Sequence, residues 1–287
     1  MRVFLLSSLA MIAFAANSLL ARLALVGNGT DPLTYTGLRL LSGALILALL
    51  VRLRRSDHAG PLYRSGTWKQ ALALFGYALA FSLAYVRLGA AMGALVLFAS
   101  VQIGMVTRAI VAGDRPGPFE WLGLALAGGA FVYLVSPGLS APDALGSALM
   151  ILAGLCWAAY SLLGRGSAHP LEDTAGNFLR CLPPALAILG MGLVGQLPQA
   201  DGVTYAIMSG AIASGLGYAV WYGALPALSR TRAAVIQLSV PVIAAVAAIP
   251  LLGEASSLRL VIAAVLILGG IALATLLSGR RRAQRTG

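Results

Sequence analysis

Ten apolar stretches follow one another along the chain, at roughly 3–26, 33–51, 68–86, 89–112, 118–136, 143–164, 173–195, 202–225, 231–252 and 257–278. Each has about the length that a helix needs to cross a bilayer. The breaks between them carry proline, glycine or charge, as in GDRPGP at 113–118, SPGLSAP at 136–142 and RGSAHP at 165–170. No soluble domain, coiled coil or low-complexity tract intervenes. The pattern predicts an all-α membrane protein of ten transmembrane helices.

Composition strengthens this reading. The 287 residues are 59% hydrophobic and 10% charged, against roughly 25% charged in a soluble domain. The net charge of +11 does not point to nucleic acid, because the basic residues sit in the breaks rather than along one face. Assigned to alternating sides, fifteen of the twenty Lys and Arg share the side of both termini. Only Arg87 and Arg259 fall on the other, and Arg22, Arg39 and Arg180 lie within spans. Basic loops face the cytoplasm, so both termini are expected there. Cys156 and Cys181 lie in apolar stretches without metal-ligand spacing and imply no disulfide framework.

The chain repeats itself. Residues 13–22 read AFAANSLLAR, and residues 156–165 read CWAAYSLLGR. An internal copy argues against removal of the first stretch as a leader, although Arg2 and Ala13-Phe14-Ala15 would suit one. The match extends onward: Arg39 with Arg180, Phe98 and Gln102 with Gln237 and Pro241, Gly113-Asp114 with Gly253-Glu254, and Gly128-Gly129 with Gly269-Gly270. Five helices per copy is an odd number, so the second copy starts on the opposite side of the membrane. The expected units are residues 1–140, the inverted 141–279, and a basic cytoplasmic tail at 280–287. Inverted repeats suit alternating access to a site near the midplane.

With Leu252-Gly253-Glu254 closing helix 9, Gly269-Gly270 in helix 10 and the run Gln237-Leu238-Ser239-Val240-Pro241, the chain resembles the drug/metabolite transporter superfamily, in its ten-helix EamA-type group. It is most similar there to the YddG-type aromatic amino-acid exporters of Gram-negative bacteria. The first half departs from the family pattern, with Ser100-Val101-Gln102 where proline is usual and Gly113-Asp114 for Gly-Glu. The resemblance implies a multi-pass protein of the bacterial inner membrane. Helices 1, 3, 4, 6, 8 and 9 would enclose a cavity, buttressed by helices 5 and 10. It implies a transporter rather than an enzyme, with no cofactor and no obligate protein partner.

The candidate chemistry fits a neutral solute. All nine acidic residues lie in loops or at helix ends, and neither His58 nor His169 is mid-span. That removes the usual ion-coupling carboxylate and the acid–base sets of a membrane-embedded enzyme. Aromatic and amide side chains remain at mid-depth: Asn17, Tyr77, Phe81, Phe98, Gln102, Trp157, Tyr160, Tyr218, Trp221 and Gln237. Buried amides need partners, so these ten are the candidate substrate-binding residues. Tyr85, Trp68 and Trp121 have the alternative of an interfacial belt. Arg22 and Arg39 flank Asp31, while Arg165 and Arg180 flank Glu172 and Asp173. They are expected to act as structural clamps or gate locks, with capture of a substrate carboxylate by Arg39 or Arg180 as the sharper alternative. Glycines at 89, 93, 123, 128–129 and 269–270 are expected to allow close helix approach, and prolines at 183–184, 226, 241 and 250 to bend helices. Pro241 is a candidate hinge. The predicted function is export of small amphipathic metabolites, chiefly aromatic and other neutral amino acids, by alternating access or facilitated movement. Proton exchange stays open as a driving force. A drug or nucleotide-sugar carrier of the same fold, a membrane-embedded enzyme and a non-transporting scaffold are the alternatives.

Overall fold

Proline takes the first helical position in α2 (Pro32–Arg54), α5 (Pro118–Val135) and α7 (Pro170–Gly195). Its missing N–H costs nothing there, and its fixed φ suits a helix start. Side chains cap other starts. Thr67 Oγ1 accepts from Gln70 N ahead of α3 (Trp68–Tyr85), and Asp143 Oδ1 accepts from Gly146 N at 2.6 Å ahead of α6 (Ala144–Leu163). The computed structural model describes all residues except 55–61, 114–116, 137–140, 229–232, 234–235, 256 and 286–287. The other α-helices are α1 (Arg2–Arg22), α4 (Ala90–Val111), α8 (Ala200–Met208), α9 (Gly217–Ala224), α10 (Ser239–Leu252) and α11 (Leu258–Arg285), with short 3-10 turns at Leu62–Arg64 and Leu225–Ala227. Two segments are wound as π-helix: Leu23–Gly27, which extends α1, and Ser209–Leu216, which joins α8 to α9 without a break. Among the described residues there is no β-strand.

Among the described residues, six helical segments are long and apolar enough to cross a membrane: Arg2–Gly27, Pro32–Arg54, Ala90–Val111, Ala144–Leu163, Pro170–Gly195 and Ala200–Ala227. Trp121–Val135, Ser239–Leu252 and Leu258–Ala274 are shorter apolar helices. Large apolar side chains face outward, with Leu53, Val194 and Val246 exposed. Water would not tolerate so broad an apolar exterior, whereas lipid does.

The helices pair in a definite pattern. α2 packs on α7, α5 on α11, and α6 on both α3 and α4. α1 packs on both α9 and α10, and α4 on α10. The α5–α11 contact depends on two glycines. A Cβ on Gly123 would lie 2.6 Å from the Gly270 carbonyl oxygen, and one on Gly270 would lie 2.5 Å from the Gly123 carbonyl oxygen. Gly128, Gly129 and Gly269, expected to share that role, have open space instead. Their GG pairs misled because the register across the contact joins residues 147 apart. Pro183 and Pro184 lie inside α7, which runs unbroken past them. α10 ends at Gly253 with φ of 64°, a left-handed conformation that glycine adopts without penalty.

Candidate functional site

At one end of the bundle Glu254, just past α10, gathers hydrogen bonds from neighbouring helices and lines, with Arg22 and Gly89, a cavity of about 370 Å³. Its Oε1 accepts from Arg22 Nε at 3.2 Å and from the Ala90 backbone N at 2.9 Å. The second bond sets a carboxylate on the N-terminus of α4, where the helix dipole favours negative charge. Arg22 Nη1 also donates to the Tyr85 carbonyl at 3.0 Å. One carboxylate therefore joins the ends of α1, α3, α4 and α10. Gly89 makes room for it, since a Cβ there would lie 2.8 Å from Glu254 Oε2.

This corrects the first of the expected Arg–acid–Arg clamps. Asp31 caps its own helix, accepting from Leu33 N at 2.8 Å and Thr34 N at 3.1 Å, and Arg22 pairs with Glu254 instead. Arg39 is buried and donates through Nη2 to the Tyr77 hydroxyl at 3.1 Å. It lies 4.7 Å from the Phe81 ring centroid and 5.2 Å from that of Tyr77. Arg180 donates through Nη1 to the backbone carbonyls of Ser65 and Gly176 and lies over the Trp68 ring. Arg165 is exposed, and Asp114, its expected counterpart to Glu254, lies outside the described residues. Asp173 accepts from Gly66 N and from Ser167 Oγ.

Away from the Glu254 end, a cavity of about 480 Å³ runs inward from a mouth ringed by exposed Arg165 and Gly166. Phe14, Trp157, Tyr160, Tyr218, Trp221, Tyr222 and Gln237 wall it. A second, deeper pocket of about 40 Å³ shares Phe14, Trp157, Tyr218 and Gln237 with the first. Asn17, Tyr77, Phe81 and Phe98 join its walls. The rings are mutually packed. Trp157 stacks on Tyr218 at 5.6 Å with a 16° interplanar angle and on Tyr160 at 5.3 Å with 30°, and Tyr77 meets Trp157 at 4.8 Å. Such offset and tilted pairs are the favoured arrangements of aromatic quadrupoles.

Nine of the ten substrate-binding candidates thus line one or both of these spaces. Gln102 does not: it is half-buried on α4, one turn beyond Phe98, and lines neither. Pro241 is buried in the first turn of α10. The helix is broken just before it, at Leu238. A proline at 241 removes the donor that the Gln237 carbonyl would meet four residues on. Tyr85 is wholly buried against Phe81 and belongs to no interfacial belt, whereas Trp68 and Trp121 are exposed.

Several lining residues escaped the sequence reading. The N-terminal turns of α7 bring Asp173, Thr174 and Asn177 to the cavity, on one face at i, i+1 and i+4. Thr174 Oγ1 accepts from the Tyr160 hydroxyl at 3.1 Å and shares a 3.0 Å bond with that of Tyr222. The π-helical segment supplies Ser214 to the deep pocket and, away from the lining, Ser209 as a partner of Asn17. Ser209 Oγ accepts from the Tyr35 hydroxyl at 2.7 Å and donates to Asn17 Oδ1 at 2.5 Å, so Asn17 is held by a buried hydroxyl chain. Ser214 lines the deep pocket, and its buried Oγ has no partner. Only the 3.6-residue period was legible there, and π winding shifts which residues face inward. Among the described residues no group of three or more His, Cys, Asp or Glu is placed to hold a metal. The lining offers aromatic faces, hydroxyls and amides, suited to holding a partly apolar solute rather than to acid–base chemistry.

Outward-facing apolar helices around a hydrogen-bonded, cavity-bearing interior define a multi-pass membrane protein. Residues 144–276, in the second half of the chain, match the EamA-like transporter family. It is 51% identical over 273 residues to an uncharacterized protein of Pseudomonas aeruginosa, covering 95% of this chain and 94% of that one. It is 32% identical over 154 residues to the threonine/homoserine exporter RhtA of Salmonella typhimurium, covering 51% of this chain and 49% of RhtA. A crystal structure shares its fold with a TM-score of 0.65 at 23% identity, covering 96% of this chain and 98% of that chain.

Proposed function

We propose that this protein exports neutral amino acids, aromatic ones foremost, across the bacterial inner membrane by alternating exposure of the central cavity. The observation that carries the reading is the cavity itself. Aromatic walls from both halves of the chain surround a space of about 480 Å³ that has a mouth at the Arg165 end, while the Arg22–Glu254 cluster ties the opposite end. The charge asymmetry of the sequence supports a cytoplasmic position for both termini and Arg165, and in this reading the conformation accepts solute from inside. A substrate ring would lie against Trp157 and Tyr218, and its polar end would meet hydroxyls and amides. The likeness of half the chain to a threonine/homoserine exporter supports amino acids as the class.

The helix pairings support ten spans in two inverted units, residues 1–140 and 141–279. In that scheme α8, the π segment and α9 form the eighth span, α10 belongs to the ninth and α11 to the tenth. Exchanging the halves turns the α1–α9 contact into α6–α3 and α1–α10 into α6–α4, and leaves α2–α7, α4–α10 and α5–α11 as they are. A pseudo-two-fold axis in the membrane plane has this property. Purified protein in liposomes, assayed with a panel of labelled amino acids, tests the reading. Saturable flux of phenylalanine or other neutral amino acids is expected. Flux no higher than in empty liposomes for every amino acid would overturn it.

A further inference from the structure

We propose that Arg39 is the receptor for the substrate's carboxylate, an inference that rests on the amino-acid reading above. Arg39 is only 2% exposed, two turns into α2. No carboxylate among the described residues lies within ion-pair distance of it. Of its five N–H donors, the hydrogen bond seen is Nη2 to the Tyr77 hydroxyl, and Nη1 is buried without a partner. A guanidinium in a membrane interior is strongly disfavoured unless an anion or several acceptors compensate it. Ring faces and one phenol do this incompletely.

The matching position in the other half of the chain differs in burial and in the groups it meets. Arg180 occupies the matching position in the repeat, yet it is half-buried and its Nη1 reaches two backbone carbonyls. Arg180 therefore binds α7 to the segment before α3, which is structural work. Arg39 keeps its Nη1 buried without a partner and lines neither cavity itself. Tyr77 and Phe81, the two rings it lies over, are also walls of the deep pocket. In the same pocket Ser214 carries a second unpartnered, buried polar atom. The pocket's 40 Å³ or so is room for one small polar group, and the larger aromatic cavity adjoining it would take the side chain. A solute that brings its own carboxylate completes the coordination of Arg39, and one without a carboxylate leaves a buried cation unpaired. Selectivity for the acid form follows from that difference.

The test compares L-phenylalanine with L-phenylalaninamide, which keeps the ring and ammonium and removes the negative charge. Wild type, Arg39→Lys and Arg39→Met are assayed for flux and for ligand-induced thermal stabilisation in detergent. Wild type should favour the acid over the amide by on the order of 30-fold, consistent with a charge-assisted hydrogen bond. Arg39→Met should lower that ratio toward one mainly by losing the acid, and Arg39→Lys should keep part of it. A ratio unchanged in Arg39→Met would overturn the proposal. So would equal acid-to-amide ratios in Arg39→Lys and wild type when Arg39→Met does not fold. Absence of amino-acid flux in wild type would instead overturn the transport reading. The Arg39 assignment would then stand or fall on whether simple monocarboxylates stabilise wild type and not Arg39→Lys or Arg39→Met.

Discussion

Replacing Glu254 by glutamine should release this end of the bundle. The carboxylate accepts two hydrogen bonds, one from a guanidinium and one from the backbone N–H at the start of α4. A hydrogen bond to a charged group contributes about 1.5–3 kcal/mol. The Arg22 and Glu254 side chains are 20% and 17% exposed, so solvent screening reduces the ionic part. A loss of ~2 kcal/mol is a reasonable figure for Glu254→Gln, which keeps the shape and removes the charge. If these contacts exist only while this end is closed, that loss shifts the conformational equilibrium ~30-fold. The assay uses a cysteine at Leu97, which lines the deep pocket, in a Cys156→Ser, Cys181→Ser background. A membrane-impermeant maleimide is added from the face that carries Arg22. The labelling rate should rise ~30-fold in Glu254→Gln, rise similarly in Arg22→Gln, and rise little further in the double variant. A labelling rate unchanged by Glu254→Gln, or effects of the two substitutions that simply add, would refute the latch.

Three further outcomes are expected. Gly123→Ala places a Cβ 2.6 Å from the Gly270 carbonyl oxygen and should lower thermal stability by about 1–3 kcal/mol, whereas Gly128→Ala, with nothing within 4 Å, should be close to neutral in the same melting experiment. Tyr35→Phe removes the hydroxyl that donates to Ser209 at 2.7 Å and should cost about 1–3 kcal/mol, read as a lower melting temperature in detergent. Trp157→Ala removes ring contacts to Tyr77, Tyr160 and Tyr218 and should raise half-saturation for phenylalanine about 10-fold, each aromatic pair contributing about 0.5–1.5 kcal/mol, while leaving uptake of alanine nearly unchanged.

Much of the site was legible because depth and polarity are sequence properties. Asn17, Tyr77, Trp157 and Gln237 were singled out as aromatic or amide groups with no reason to face lipid, and each lines a cavity wall. What stayed hidden was pairing across long separations. Glu254 is 232 residues from Arg22, and Asp31, only nine residues away, was the natural but mistaken partner. A carboxylate two residues before a helix turn has a local use, as the Asp31 bonds to Leu33 N and Thr34 N show. The GG pairs at 128–129 and 269–270 were conspicuous in sequence, yet Gly123 meets Gly270 because helix crossing, not local composition, sets where backbones touch. The π winding at Ser209–Leu216 leaves no mark on an apolar stretch, so the inward turn of Ser209 and Ser214 could not be foreseen.

Alternating access requires the two ends of the cavity to open in turn. It is tested most directly by paired spin labels, at Val86 and Ala255 beside the Glu254 end and at Leu163 and Ala227 beside the Arg165 end. These residues are exposed, so labels there should leave the packing intact. Distances are measured for each pair with and without phenylalanine, in wild type and in Glu254→Gln. The expected result is that the first pair widens in Glu254→Gln while the second narrows, with phenylalanine redistributing the same two populations. Distances at the two ends that never change in opposite directions, under any of these conditions, would contradict alternating access.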